Sequence, residues 1–175
     1  MTKTTLPKRY TYGAPDTECR YPVLLPNGEF IGHVFRWHRA WFAVPAGSPI
    51  DIRVSAGAIG KDAAAEYLCE DFDAGRITPL TEVPNRNGAE RGTGPAPLLH
   101  PRMDKPHNRA AALTAVQGLS ELHWTPLGGY PGADNPWLLS CDRCEWEGVK
   151  YWSHLRGRKG NPPSPFRHPG CTGQG

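Results

Sequence analysis

Two short dyads, Cys141-Asp-Arg-Cys144 and His168-Pro-Gly-Cys171, constrain the folding of this chain more than any other feature. Two intervening residues let each pair close a tight turn and aim both ligand atoms at one centre. Three thiolates and one imidazole make a Cys₃His set, which fills a closed tetrahedral zinc site. Residues 145–167 separate the dyads, enough chain for a hairpin return and a loop. A segment this small, and this rich in Gly and Pro, buries little apolar area. A bound structural zinc would supply the missing folding free energy, on the order of 10 kcal/mol or more.

Other readings of these residues compete. A redox dithiol at Cys141 and Cys144 would need a strand running into a helix N-terminus to activate the thiolate, and the surrounding pattern lacks it. A catalytic zinc needs an open coordination position, which four ligands do not leave. A cluster without metal is the remaining alternative. His154 rivals His168 as fourth ligand. His168 is preferred because it completes a second dyad, whereas His154 sits beside Tyr151 and Trp152.

Gly (20) and Pro (19) exceed a fifth of the 175 residues, and only 38% are hydrophobic. Modest cores, many turns and an unstructured connector follow from that composition. Met1 to Arg9 has no apolar signal-peptide core, and no run is long enough to span a bilayer. The expectation is a cytoplasmic protein with reduced thiols, where a Cys cluster points to metal before disulfides. The net charge of +3 permits a nucleic-acid partner without requiring one.

Residues 1–20 read as a loose arm. Glu29–Trp37, Ala40–Val44 and Ile50–Val54 read as three strands, with Asn27-Gly28, His38-Arg39 and Ala46–Pro49 as turns. Lys61 to Asp73 reads as a helix with Ala65, Leu68, Cys69 and Phe72 on one stripe, stopped at Gly75. Glu70, Asp71 and Asp73 read as its solvated face. Residues 21–75 are thus a β-β-β-α domain. Six prolines between 76 and 107 mark a linker. Asn108 is the candidate cap of a second helix, Arg109 to Leu122. Trp137–Ser140 and Trp146–Trp152 read as strands flanking the Cys141–Cys144 turn. The class is α+β, with a three-stranded antiparallel sheet and helix joined to a helix-led metal module at 108–171, and a tail at 172–175.

Leu119–Leu127, Gly129-Tyr-Pro-Gly132, Pro136-Trp137, the Cys141 dyad and the terminal Cys171 dyad resemble the treble-clef or zinc-ribbon module of actinobacterial and actinophage proteins. The likeness covers roughly residues 108–171. It implies a structural zinc, a phage or mobile-element setting, and loosely a nucleic-acid or protein partner. The chain departs from that module in its His-x-x-Cys second dyad and in a longer Pro-rich loop, Gly157 to Arg167. Gly28, Gly32, Val34, Arg36, Trp41 and Ala43, followed by the Ala- and Glu-rich helix, resemble the small β-β-β-α DNA-binding domains of the AP2 and integrase-arm type. That likeness implies Arg36, Arg39 and Arg53 as backbone or base contacts.

From Cys141 to Gly175, six Lys/Arg face three Asp/Glu. Lys150, Arg156, Arg158 and Lys159 are candidate phosphate contacts, and Trp152 or Tyr151 could stack on a base. The same rings could instead form the core around the Cys turn. No nucleophile elbow, phosphate loop or metalloprotease pattern appears. The expected function is non-enzymatic nucleic-acid binding, DNA favoured, with nuclease the enzyme class left open. The alternative is a protein-interaction adaptor, or a phage structural or host-modulating protein, using Trp-rich surfaces.

Overall fold

The computed structural model describes residues 8–84, 95–158, 160–163 and 167–171. The fold is α+β and divides into two compact units, one from residues 1–15 and 20–84, the other from 16–19 and 85–175.

The first unit is a five-stranded antiparallel sheet in the order β1-β2-β3-β4-β5. Its strands are β1 Thr11–Tyr12, β2 Tyr21–Leu24, β3 Phe30–Trp37, β4 Ala40–Pro45 and β5 Ile52–Ala56, followed by helix α1, Gly60–Asp73. The sheet is two strands wider than the three read from the sequence. Residues taken for a loose arm supply β1, and Tyr10 is buried in the core with Val23, Ile31, Val34 and Ala43. The arm is held by side chains: the Tyr12 hydroxyl donates to Asp62 Oδ1 at 2.8 Å, the Tyr10 hydroxyl at 3.1 Å and Lys8 Nζ at 2.9 Å. Lys61 lies over the Tyr21 ring at 3.3 Å and the Tyr12 ring at 4.0 Å.

The β3–β4 hairpin turns at His38 and Arg39, both left-handed at φ +45° and +67°, as a two-residue primed turn demands. Helix α1 lays Ala64, Ala65, Leu68 and Cys69 on the sheet. Gly32 marks the closest approach. A Cβ there would sit 2.4 Å from the Val44 carbonyl oxygen and 3.0 Å from Leu68. Asp71 is buried, not solvated. Arg76 Nη2 and Nε bond its Oδ1 at 2.6 and 2.9 Å, tying the chain after the helix back onto its last turn.

The stretch expected as a linker is tethered at both ends. Leu80 exchanges backbone hydrogen bonds with Phe30 in the first unit, and Leu99 bridges Tyr130 in the second. Residues 85–94 lie outside the described residues.

The second unit contains helix α2, Arg109–Glu121, strands β6 Trp124–Pro126, β7 Trp137–Cys141 and β8 Glu147–Lys150, and a one-turn helix α3, Trp152–Leu155. The strands form an antiparallel sheet in the order β6-β7-β8. Ala112, Ala115 and Leu119 of α2 pack with Trp124, Trp137, Leu139, Trp152 and Leu155. Gly118 is the notch that admits Trp152, since a Cβ there would lie 2.4 Å from the indole Cη2. Asn108 does not cap α2 with its side chain; its amide donates to the Met103 carbonyl at 2.8 Å. No described helix is long and apolar enough to cross a membrane.

Candidate metal centre

Strand β7 carries Cys141 to the end of the β7–β8 hairpin. The Trp146 carbonyl accepts from the Cys141 N–H at 2.8 Å, and the Cys141 carbonyl accepts from Glu145 N–H at 2.9 Å and Cys144 N–H at 3.3 Å. Glu145 takes the left-handed conformation, φ +58°, that closes this knuckle. The second dyad forms a matching turn. Cys171 N–H donates to the His168 carbonyl at 3.3 Å, and Gly170 supplies φ +75°.

The two turns bring one ligand atom each from Cys141, Cys144, His168 and Cys171 within 4.8 Å of one another. A tetrahedral zinc with bonds of about 2.3 Å to sulfur sets sulfur–sulfur edges of about 3.8 Å. The cluster therefore needs at most a small contraction to hold such an ion. All three cysteines are free thiols. Cys141 and His168 are buried, Cys144 and Cys171 half-buried.

His168 is oriented as a metal ligand should be. Its Nδ1 lies 2.9 Å from the Pro169 carbonyl, which can only accept, so Nδ1 carries the proton. Nε2 is left as the free lone pair, 3.1 Å from Cys144 Sγ. Such an outer bond fixes both tautomer and ring direction. The imidazole also stacks on Trp146, 4.6 Å between centroids and 4° between planes. His154 is exposed on α3 and stands outside the cluster.

Arg167 is the residue the sequence did not single out. Its Nη1 donates to the Leu122 carbonyl and Nη2 to the His123 carbonyl, both at 2.6 Å, at the C-terminal end of α2. Nη2 also reaches Cys141 Sγ at 3.2 Å, and the guanidinium lies over Trp124 at 4.3 Å. Burial pushes the Cys141 thiol up, but Arg167, then the Arg143 backbone N–H and His168, outweigh it and bring it down to about 6. For Cys144 the Trp146 backbone N–H acts downward, yet burial and the neighbouring Cys141 and Cys171 leave it above its ordinary value. Arg167 thus favours the thiolate form of Cys141, the form a metal ion requires. Position next to a ligand His was the only sequence signal that could have flagged Arg167.

The residues read as nucleic-acid contacts divide between the two units, Arg36, Arg39 and Arg53 in the first and Lys150, Trp152, Arg156 and Arg158 in the second. Arg36 pairs with Trp41, whose indole packs on Gly60 of α1, so Arg36 lies on the helix-covered face of the first sheet. Arg53 pairs with Phe42 on the opposite face, where Phe42 stacks on Phe35 at 5.2 Å and Arg20 covers Phe35 at 5.4 Å. Arg39 is exposed in the hairpin turn. Trp152 is 7% exposed and belongs to the core, so it offers no face to a base. Lys150 donates to the Arg167 carbonyl and lies over Trp146 at 5.3 Å. Arg156 is exposed, and Arg158 Nη1 bonds Asp134 Oδ1 at 2.8 Å. Lys159 lies outside the described residues. Trp124, Trp137 and Trp152 are buried and Trp146 stacks on His168, whereas Trp37 and Trp41 of the first sheet are half-buried.

Comparison with protein-family models, curated proteins and solved structures finds no match to this chain.

Proposed function

We propose that the protein is a non-enzymatic nucleic-acid-binding protein whose second unit is stapled by one structural zinc. The Cys₃His cluster carries the metal part of this reading. Three soft sulfurs and one imidazole favour zinc over the oxygen-seeking divalent cations, and four protein ligands close the coordination sphere. The metal so held stabilises the turn between β7 and β8 and leaves no position for substrate.

The partner is argued from charge. The second unit, residues 16–19 and 85–175, holds eleven Lys/Arg against nine Asp/Glu, and the first, residues 1–15 and 20–84, nine against eight; within the second, residues 141–175 hold six against three. A zinc with three thiolates subtracts one charge and leaves the second unit positive. Arg143 and Arg156 are exposed there. We assign the anionic partner to the 141–175 segment of the second unit, where the excess of cations is concentrated.

The test is fluorescence anisotropy of zinc-loaded protein with generic single-stranded and duplex DNA and RNA across a salt series. The affinity should fall steeply with salt, by a logarithmic slope of about −0.9 for each duplex phosphate neutralised. Absence of binding at low salt would sink the nucleic-acid reading and leave the zinc site standing.

A further inference from the structure

The four ligands of the metal centre are not equally guarded. Cys141 is buried and fixed twice, by the strand that delivers it and by the Arg167 Nη2 donor 3.2 Å from its Sγ. His168 is 2% exposed and held by its stack on Trp146. Cys144 and Cys171 are half-buried. The residues that precede them, Asp142 and Arg143 in one turn, Pro169 and Gly170 in the other, are exposed. The two half-buried sulfurs come from different turns and lie within 4.8 Å of each other, close enough to bond after a small side-chain movement. The other two cysteines, Cys19 and Cys69, are buried and stand outside the cluster.

An oxidant arriving from solvent therefore meets Cys144 and Cys171 before any other sulfur. An accessible thiolate with a second sulfur at hand is the arrangement of a reversible redox site. We propose that the centre exchanges its zinc for a Cys144–Cys171 disulfide on meeting hydrogen peroxide. This rests on the zinc reading above and adds a redox response to it.

The chemistry balances with peroxide as the oxidant. One thiolate attacks a peroxide oxygen, the O–O bond breaks, hydroxide leaves and the sulfur becomes a sulfenic acid. The second thiolate attacks that sulfur, the S–S bond forms, the S–O bond breaks and a second hydroxide leaves. Two protons from solvent turn both hydroxides into water. Two electrons pass from the two sulfurs to one peroxide. Disulfide sulfur lacks the negative charge of a zinc ligand, so the ion keeps only Cys141 and His168 and departs as a divalent cation.

The choice of pair decides what the exchange does to the fold. A Cys141–Cys144 bond would lie within one knuckle and release the second dyad. A Cys144–Cys171 bond joins the same two turns that the zinc joined, and closing residues 144–171 into a loop constrains the unfolded chain. Oxidation thus removes the metal and keeps the tether.

The experiment treats full-length, zinc-loaded protein with hydrogen peroxide, follows released zinc with a metallochromic dye, and maps disulfides by alkylation and peptide mass spectrometry. One zinc should leave for each Cys144–Cys171 bond formed, with Cys141, Cys19 and Cys69 still alkylated after unfolding. Dithiothreitol and added zinc should restore the loaded protein. A disulfide that includes Cys141, oxidation of single cysteines to sulfinic acid without a disulfide, or retained zinc with all five cysteines still thiols overturns the exchange and leaves the zinc site standing. Protein that holds no zinc before peroxide is added overturns the exchange and the metal reading together.

Discussion

Gly118→Ala sets two known effects against each other. In an exposed helix interior the change is stabilising, by about 1 kcal/mol, because alanine is the better helix former. At position 118 the new methyl would sit 2.4 Å from Cη2 and 3.0 Å from Cζ2 of Trp152. Carbon atoms rest about 3.5–4.0 Å apart, so the ring or the helix must move by roughly 1 Å. Trp152 is 7% exposed and packed among Ala115, Leu119 and Trp124, so it has nowhere to go. Overpacking of this kind costs about 1–3 kcal/mol, enough to cancel or exceed the propensity gain. A net loss of about 1 kcal/mol is expected, or a melting shift of about 4–8 °C for a unit of this size. Urea unfolding of the zinc-loaded protein, followed by far-ultraviolet circular dichroism, reads it. Thr114→Ala is the control, an exposed position in the same helix whose hydroxyl bonds back to the Ala110 carbonyl. It should stabilise by a few tenths of a kcal/mol. Trp152→Phe should rescue Gly118→Ala, since the smaller ring vacates the contact. A Gly118→Ala protein more stable than wild type would refute the packing of α2 on Trp152.

Three further outcomes follow from the same contacts. Gly32→Ala should cost at least about 2 kcal/mol from overpacking and backbone strain combined, because its Cβ would meet the Val44 carbonyl oxygen at 2.4 Å with φ at +152°; an unchanged urea midpoint would contradict this. Lys8 first, then the Tyr12 and Tyr10 hydroxyls against an opposing burial effect, hold the Asp62 carboxyl below its usual value. The stability it contributes is present above the ordinary carboxylate range and lost as pH falls through the depressed value, and carboxyl NMR should show Lys8→Ala moving that titration upward. Arg167→Ala should weaken zinc retention about 10–100-fold in a chelator competition, with Arg167→Lys intermediate because it keeps the charge but not the fork onto Leu122, His123 and Cys141; full retention by Arg167→Ala would remove its assigned role.

Local patterns were readable and non-local ones were not. The spacing within each dyad gives the ligand set because two-residue turns are local geometry. The stripe Ala65, Leu68, Cys69 and Phe72 gives α1 because helical periodicity is local too. Strands β1 and β2 escaped because Pro22 breaks the strand pattern of β2 and β1 has only two residues, so their order comes from pairing across the sheet. Asp62, gathering Lys8, Tyr10 and Tyr12 from about fifty residues away, left no local trace. Trp152 was legible either as a stacking platform or as core. The deciding clue was Gly118, a glycine in the middle of an Ala-rich helix, whose absent side chain is the space the indole fills. Arg167 was visible only as one more cation, since its partners are the carbonyls that end α2.

The central claim is that Cys141, Cys144, His168 and Cys171 hold one zinc as a closed structural site. Elemental analysis of the purified protein, combined with cobalt substitution, tests it most directly. The account predicts one zinc per chain, a cobalt spectrum with the intense visible bands and thiolate charge transfer of a tetrahedral sulfur-rich site, and loss of both in the Cys141→Ser/Cys144→Ser variant. Equal zinc content in wild type and variant, or a weak six-coordinate cobalt spectrum, would contradict it.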